Sequence, residues 1–158
     1  MKILLVAVNA KYIHSNLGIY SLKAYAGQQL DRCRPRQATI ELAEYTINHQ
    51  MEACLQDIYR RRPDVIGFSC YIWNIGTIRA LAADLRKVLP GIPIWLGGPE
   101  VSFDAEKVLR ENPSVTGVMK GEGEETFAQL ARYYVDDLTD LSDIAGLTYR
   151  NPDGTLTD

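Results

Sequence analysis

Apolar residues recur along the chain in two rhythms, and their alternation predicts the fold. Five short runs are apolar or rich in β-branched residues: 2–8 (KILLVAV), 38–43 (ATIELA), 64–69 (DVIGFS), 92–96 (IPIWL) and 115–119 (VTGVM). The first, third and fourth are apolar on both faces, the pattern of a parallel strand covered on each side by helices. Between and after them, helical patterning predicts helices over 17–30, 49–61, 75–89, 103–111 and 124–136. In the third helix, Ile75, Ile78, Leu81, Ala82, Leu85 and Leu89 form one core-facing stripe. Leu22, Tyr25, Ala26 and Gln29 give the first helix a weaker one. Asn74 is placed to cap the third helix, and Pro90-Gly91 ends it. Arg62-Pro63-Asp64 ends the second.

Strict alternation of strand and helix implies an α/β domain: a flavodoxin-like, doubly wound, five-stranded parallel sheet in the order 2-1-3-4-5 with right-handed crossovers. After residue 140 the pattern changes. Residues 144–150 and 155–157, flanking Asn151-Pro152-Asp153-Gly154, read as a C-terminal β-hairpin. The expected organisation is a domain over 1–140 and a hairpin or linker over 141–158. Such a chain reads as a piece of a longer protein.

The length of 158 residues suits one domain with its own core. The net charge of −3 gives no reason to expect nucleic-acid binding. The basic clusters Arg32/Arg34/Arg36 and Arg60-Arg61-Arg62 read as solvated helix or turn ends. Three scattered cysteines, Cys33, Cys54 and Cys70, support neither a disulfide framework nor a zinc site. Cys70 reads as a packing residue. The apolar start is too short to span a membrane and lacks signal-peptide architecture, so a cytoplasmic protein without a membrane partner is expected.

In such a sheet, ligands bind at the carboxyl ends of the strands. The loops there carry two glycine-rich turns, Leu96-Gly97-Gly98-Pro99-Glu100 and Lys120-Gly121-Glu122-Gly123-Glu124. Glycine lets backbone approach a ligand closely, and a helix start behind each turn offers free N–H groups. The same edge carries Asn9, His14, Asn16, Ser69, Cys70, Tyr71 and Trp73, a mixed polar and aromatic rim suited to a large ligand. The first loop lacks the glycine fingerprint of a dinucleotide site, and a Walker phosphate loop is absent. A phospho-acceptor receiver domain needs acidic residues where Asn9 and Ser69 stand. A flavin or nucleotide domain, or a non-catalytic regulatory domain, remains open on the residues alone.

Three segments taken in order resemble the cobalamin (B12)-binding domain at the N-terminus of many radical S-adenosylmethionine enzymes. They are the His-containing loop from Asn9 to Gly18, Ser69-Cys70-Tyr71 ending the third strand, and the Gly97-Gly98 pair ending the fourth. The resemblance implies a module that binds and positions cobalamin without catalysing alone, within a methyltransferase-like parent. S-adenosylmethionine and an iron–sulfur cluster (4Fe-4S) would belong to a following radical domain, because no Cys-x-x-x-Cys-x-x-Cys run occurs here.

The cofactor-contacting residues it implies are His14, Asn16, Ser69, Tyr71, Gly97, Gly98, Pro99, Glu100, Gly121, Glu122 and Gly123. Ser69 would meet the tail base, and the glycine pair would leave room for the tail. Glu122 and Glu124 serve either ligand amides or their own helix start. Tyr71 and Trp73 either stack on the ligand or pack the rim. His14 stands either as a cobalt ligand or as a loop histidine that does not coordinate. The better-known cobalamin proteins carry Asp-x-His-x-x-Gly; here Tyr12 replaces the aspartate and Gly18 comes one residue late. His49 is expected on the surface at the end of the sheet opposite the site.

Overall fold

A computed structural model describes residues 1–30, 38–136 and 140–158. The parallel strands are β1 (Lys2–Asn9), β2 (Thr39–Thr46), β3 (Val65–Ser69), β4 (Ile94–Gly97) and β5 (Gly117–Met119). The helices are α1 (Leu17–Leu30), α2 (Met51–Arg61), α3 (Ile75–Val88), α4 (Pro99–Ser102), α5 (Ala105–Glu111) and α6 (Gly123–Asp136). Strands β6 (Leu147–Arg150) and β7 (Leu156–Thr157) complete a sheet ordered β2-β1-β3-β4-β5-β6-β7. The first five strands take the expected parallel order. The C-terminal hairpin joins the same sheet, β6 lying antiparallel to β5 and β7 to β6.

β1 shows why the apolar runs become central strands. Leu4, Val6 and Val8 face one core with Ile66, Phe68, Ile94 and Leu96, which α2, α3, α4 and α5 cover. Ile3, Leu5 and Ala7 face the other with Val65, Trp95 and Met119, which α1 and α6 cover. A one-residue slip would exchange these sets, so packing on both faces fixes the register. At Asn9 opposite Thr46 the last rung of β1 and β2 closes, and the chain leaves for the carboxyl edge.

The fourth predicted helix, 103–111, is α5, and a separate turn that the sequence pattern does not predict, α4, precedes it. Pro99, whose fixed φ suits a first helical position, starts a single turn directly after β4. Phe103 and Asp104 separate that turn from α5. The basic end of α2 is as expected: Arg62 takes a left-handed conformation that closes the helix, and Arg61 pairs with Asp57 at 2.9 Å. Asn74 does more than start α3: it makes no side-chain cap bond and instead turns into the sheet. Cys33 and the cluster Arg32/Arg34/Arg36 lie outside the described residues. Among the described residues, no helix is long and apolar enough to cross a membrane.

Candidate functional site

The loops after β1, β3, β4 and β5 converge at the carboxyl edge, where the strand order reverses between β1 and β3. Between α1, the start of α6 and the sheet lies a groove of about 220 Å3. Leu5, Ile19, Leu22 and Met119 form its apolar floor, and Ser69, Tyr71, Glu122 and Glu124 its polar margin. Six of its lining residues are glycines: Gly18, Gly67, Gly97, Gly98, Gly121 and Gly123. These are half of the chain's twelve glycines, gathered on one wall system without side chains. A second, more open depression of about 380 Å3 continues outward past Gly18 and Tyr71, bounded by Asn9, His14, Asn16 and Trp73.

The predicted site residues divide between these two spaces. Ser69, Tyr71, Gly97, Gly98, Gly121, Glu122 and Gly123 line the inner groove; His14 and Asn16 line the outer depression. Pro99 and Glu100 are exposed on α4 and line neither. The two glycines of the β4 turn have different reasons to be there. Gly98 has φ +110°, and a Cβ on it would lie 2.5 Å from the Cys70 carbonyl oxygen, so it lets two loop backbones meet. On Gly97 a Cβ would only touch Met119, at 3.4 Å. Glu124 accepts a 2.7 Å hydrogen bond from Ser21, which ties the start of α6 to α1.

A polar network that the sequence reading does not anticipate holds the first loop. Glu44, on β2, accepts hydrogen bonds from the Asn16 backbone N–H (2.8 Å), Asn9 Nδ2 (3.0 Å) and the Tyr20 hydroxyl (3.0 Å). Burial alone would raise its carboxyl; the bonds from Asn16, Asn9 and Tyr20 outweigh that and hold it below its ordinary value. Asn16 is buried, caps α1 by accepting from the Ile19 N–H at 3.3 Å, and donates to Ser69 Oγ at 3.1 Å. The one sequence signal for Glu44 is an acidic residue near the end of a half-buried strand. Gly67 could have been found as an isolated glycine inside a strand, which marks close approach of another group.

Asn74 corrects the expectation of a helix cap. Its side chain is fully buried and donates to the carbonyls of Val8 and Ser69, each at 3.0 Å, while accepting from the Tyr71 N–H at 2.8 Å. It thereby joins the ends of β1 and β3 to the loop carrying Tyr71. The Tyr71 and Trp73 rings stack at 4.5 Å with 8° between planes, a flat aromatic surface beside the outer depression. His49 is exposed, as expected, but the expected end of the sheet is wrong. It follows the carboxyl end of β2, accepts from the Thr46 N–H at 2.9 Å and packs against Tyr12 of the first loop. The turn that begins after Thr46 leaves it on the site's own edge. Cys70 is fully buried, and burial pushes its thiol up to about 12. Among the described residues, no three His, Cys, Asp or Glu side chains come together to hold a metal ion.

Comparison with known proteins agrees with this geometry. A family model described as "B12 binding domain" matches residues 3–131. The cobalamin-dependent radical SAM methyltransferase TokK of Streptomyces tokunonensis is 30% identical over 88 residues, covering 56% of this chain and 13% of TokK. The 2-(S-pantetheinyl)-carbapenam-3-carboxylate methyltransferase of Streptantibioticus cattleyicolor is 30% identical over 89 residues, with the same shares. The chain therefore spans about an eighth of the length of these relatives. The cobalamin-dependent S-adenosylmethionine radical enzyme OxsB, solved with aqua-cobalamin and S-adenosylmethionine, superposes with a TM-score of 0.79 at 19% identity, over 99% of this chain and 21% of OxsB. That likeness carries the fold. With the family model covering β1 through most of α6, the flavin and nucleotide alternatives fall away, and the chain belongs to the B12-binding domain family as a cobalamin-binding module resembling those of cobalamin-dependent radical SAM methyltransferases.

Proposed function

We propose that this domain holds cobalamin with its nucleotide tail in the inner groove and its corrin over the outer depression, as the binding part of a larger methyltransferase-type radical enzyme. The observation that carries the reading is the wall of six glycines beside Ser69. A Cβ at Gly18, Gly67, Gly97 or Gly123 would stand against Tyr71, Leu5, Met119 or Leu22, which line this space, whereas bare backbone leaves an apolar slot with hydrogen-bonding margins. A slot of that kind fits a flat aromatic base on a sugar-phosphate stem.

Each predicted residue then has a task. Ser69 meets the tail base, while Gly97, Gly98, Gly121 and Gly123 form the walls. Glu122 accepts from ligand amides at the mouth. Asn16 and Tyr71 stand where the two spaces meet. Pro99 and Glu100 act through the turn that follows Gly98. His14 faces the outer depression without coordinating cobalt. When bound, cobalamin would supply a cobalt centre able to carry a methyl group. The residues of this chain bind it and fix its orientation, and radical generation belongs to a further domain with its S-adenosylmethionine and iron–sulfur cluster. Titration of the purified protein with hydroxocobalamin tests the reading: a corrin chromophore should co-elute with the protein on gel filtration, and elution without colour would count against it.

A further inference from the structure

Asn16 has both ends of its side-chain amide committed. Oδ1 accepts from the Ile19 N–H at 3.3 Å and so caps α1. That acceptor role fixes which way the amide points, because a flipped amide would aim N–H groups at an N–H. Nδ2 must then face Ser69, and it does, at 3.1 Å from Oγ. The backbone beneath is clamped as well: the Asn16 N–H donates to Glu44 at 2.8 Å. The amide is buried at the seam between the inner groove and the outer depression.

The consequence concerns the Ser69 hydroxyl. One of its lone pairs is taken by Asn16, while its proton has no acceptor among the described residues. Ser69 lines the inner groove, so the proton is free to be donated there. We propose that Asn16 is a positioning residue that makes Ser69 a hydrogen-bond donor toward the groove, and that the site thereby selects cobamides whose lower base carries an in-plane acceptor nitrogen. The proposal rests on the tail entering the inner groove. It goes beyond that reading by naming the residue that sets the polarity of the contact and the ligand class it favours.

Two variants and two ligands test it. Asn16→Asp keeps an oxygen to cap α1 but puts a second acceptor opposite Ser69. The hydroxyl would then donate to the carboxylate and show the groove a lone pair. Ser69→Ala removes the contact. The ligands are cobalamin, whose benzimidazole has an acceptor nitrogen, and a phenolyl cobamide, which has the same corrin and a lower base without one. Releasing the base from cobalt burdens cobalamin alone but equally in every variant. The readout is therefore the change in the ratio of the two affinities, measured by equilibrium dialysis at the corrin absorbance.

The cobalamin-to-phenolyl ratio should fall about tenfold in Asn16→Asp and comparably in Ser69→Ala, the scale of one lost hydrogen bond. A purely structural role for Asn16 would weaken both ligands alike and leave the ratio unmoved. A ratio that falls in Ser69→Ala but not in Asn16→Asp overturns the positioning role. A ratio unchanged in both overturns the donor contact. If the unaltered protein retains neither cobamide, the cobalamin-binding reading itself fails, and this inference with it.

Discussion

The carboxylate of Glu44, on β2, takes a 2.8 Å hydrogen bond from the backbone N–H of Asn16, the residue that caps α1. The same carboxylate holds Asn9 and Tyr20, so one acidic side chain pins the loop after β1 to its neighbouring strand. Its carboxyl lies below the ordinary value of 4.5, because these donors outweigh burial. A depressed carboxyl contributes stability that is complete above its unfolded value and is lost as pH falls through its folded one. Glu44→Gln should cost about 1 kcal/mol near neutral pH, where an uncharged amide accepts less strongly. The difference between the two proteins should shrink as the pH drops below about 4.5, the unfolded value. Urea unfolding of both proteins across that range would check this; a gap that stays constant would remove Glu44 as an acid-sensitive anchor.

Asn74 replaces backbone partners that the sheet cannot supply. The carbonyls of Val8 and Ser69 lie at the ends of adjacent parallel strands, where the ladder stops. Asn74→Ala would leave both carbonyls and the Tyr71 N–H without these bonds in a buried place, for a loss of about 2–4 kcal/mol. Asn74→Asp should be at least as harmful, since an oxygen would replace the amide that donates to two carbonyls. Thermal unfolding measures both, and a near-neutral Asn74→Ala would contradict this account.

The parallel core was legible in the sequence because it depends on local patterns. Double-sided apolar runs, helical stripes and the Pro-Gly stop at residues 90–91 are properties of neighbouring residues. The carboxyl-edge loops followed from topology, and so did the grouping of Ser69 with the two glycine turns. What stayed hidden was relational. Glu44 matters because β2 lies beside β1 and reaches a loop 28 residues away in sequence. Asn74 has the residue type and position of a helix cap, and only the approach of Val8 shows its other use. His49 was misplaced because the short turn after Thr46 keeps it at the carboxyl edge, where Tyr12 meets it.

Gly98 and Gly121 separate two costs of adding a side chain. Both have positive φ, +110° and +72°. At Gly121 a Cβ would meet nothing within 4 Å, so Gly121→Ala pays for backbone conformation alone, about 1 kcal/mol. At Gly98 the Cβ would also strike the Cys70 backbone, at 2.5 Å from its oxygen. Gly98→Ala should therefore cost well over about 2 kcal/mol and shift the turn after β4. Chemical unfolding of the two variants side by side gives the comparison; equal losses would mean that the Cys70 contact relaxes without cost.

Cys54 and Cys70 should be silent toward thiol reagents in the folded protein. Both are buried, and burial raises both thiols, Cys70 to about 12. Reaction requires the exposed thiolate. Brief iodoacetamide treatment at mildly alkaline pH, followed by peptide mass mapping, should label neither until denaturant is added. Fast labelling of Cys70 under native conditions would show that the loop after β3 opens readily, which its bonds through Asn74 argue against.

His14 is exposed on the first loop, and its backbone N–H reaches the Lys11 carbonyl at 3.4 Å. A histidine that ligates a metal is normally held by a carboxylate or carbonyl on its other ring nitrogen. The residue two positions before it, Tyr12, instead packs its ring against His49 at 5.5 Å. Glu44, the carboxylate that holds this loop, is occupied with Asn9, Asn16 and Tyr20. Among the described residues, none hydrogen-bonds the His14 imidazole. His14→Ala should therefore leave the visible spectrum of bound cobalamin, and its pH dependence, as in the unaltered protein, with affinity reduced by no more than about threefold, the scale of one exposed contact. A shifted spectrum in the variant would instead assign His14 as the axial ligand, held in place by the cofactor and not by a second residue of this chain.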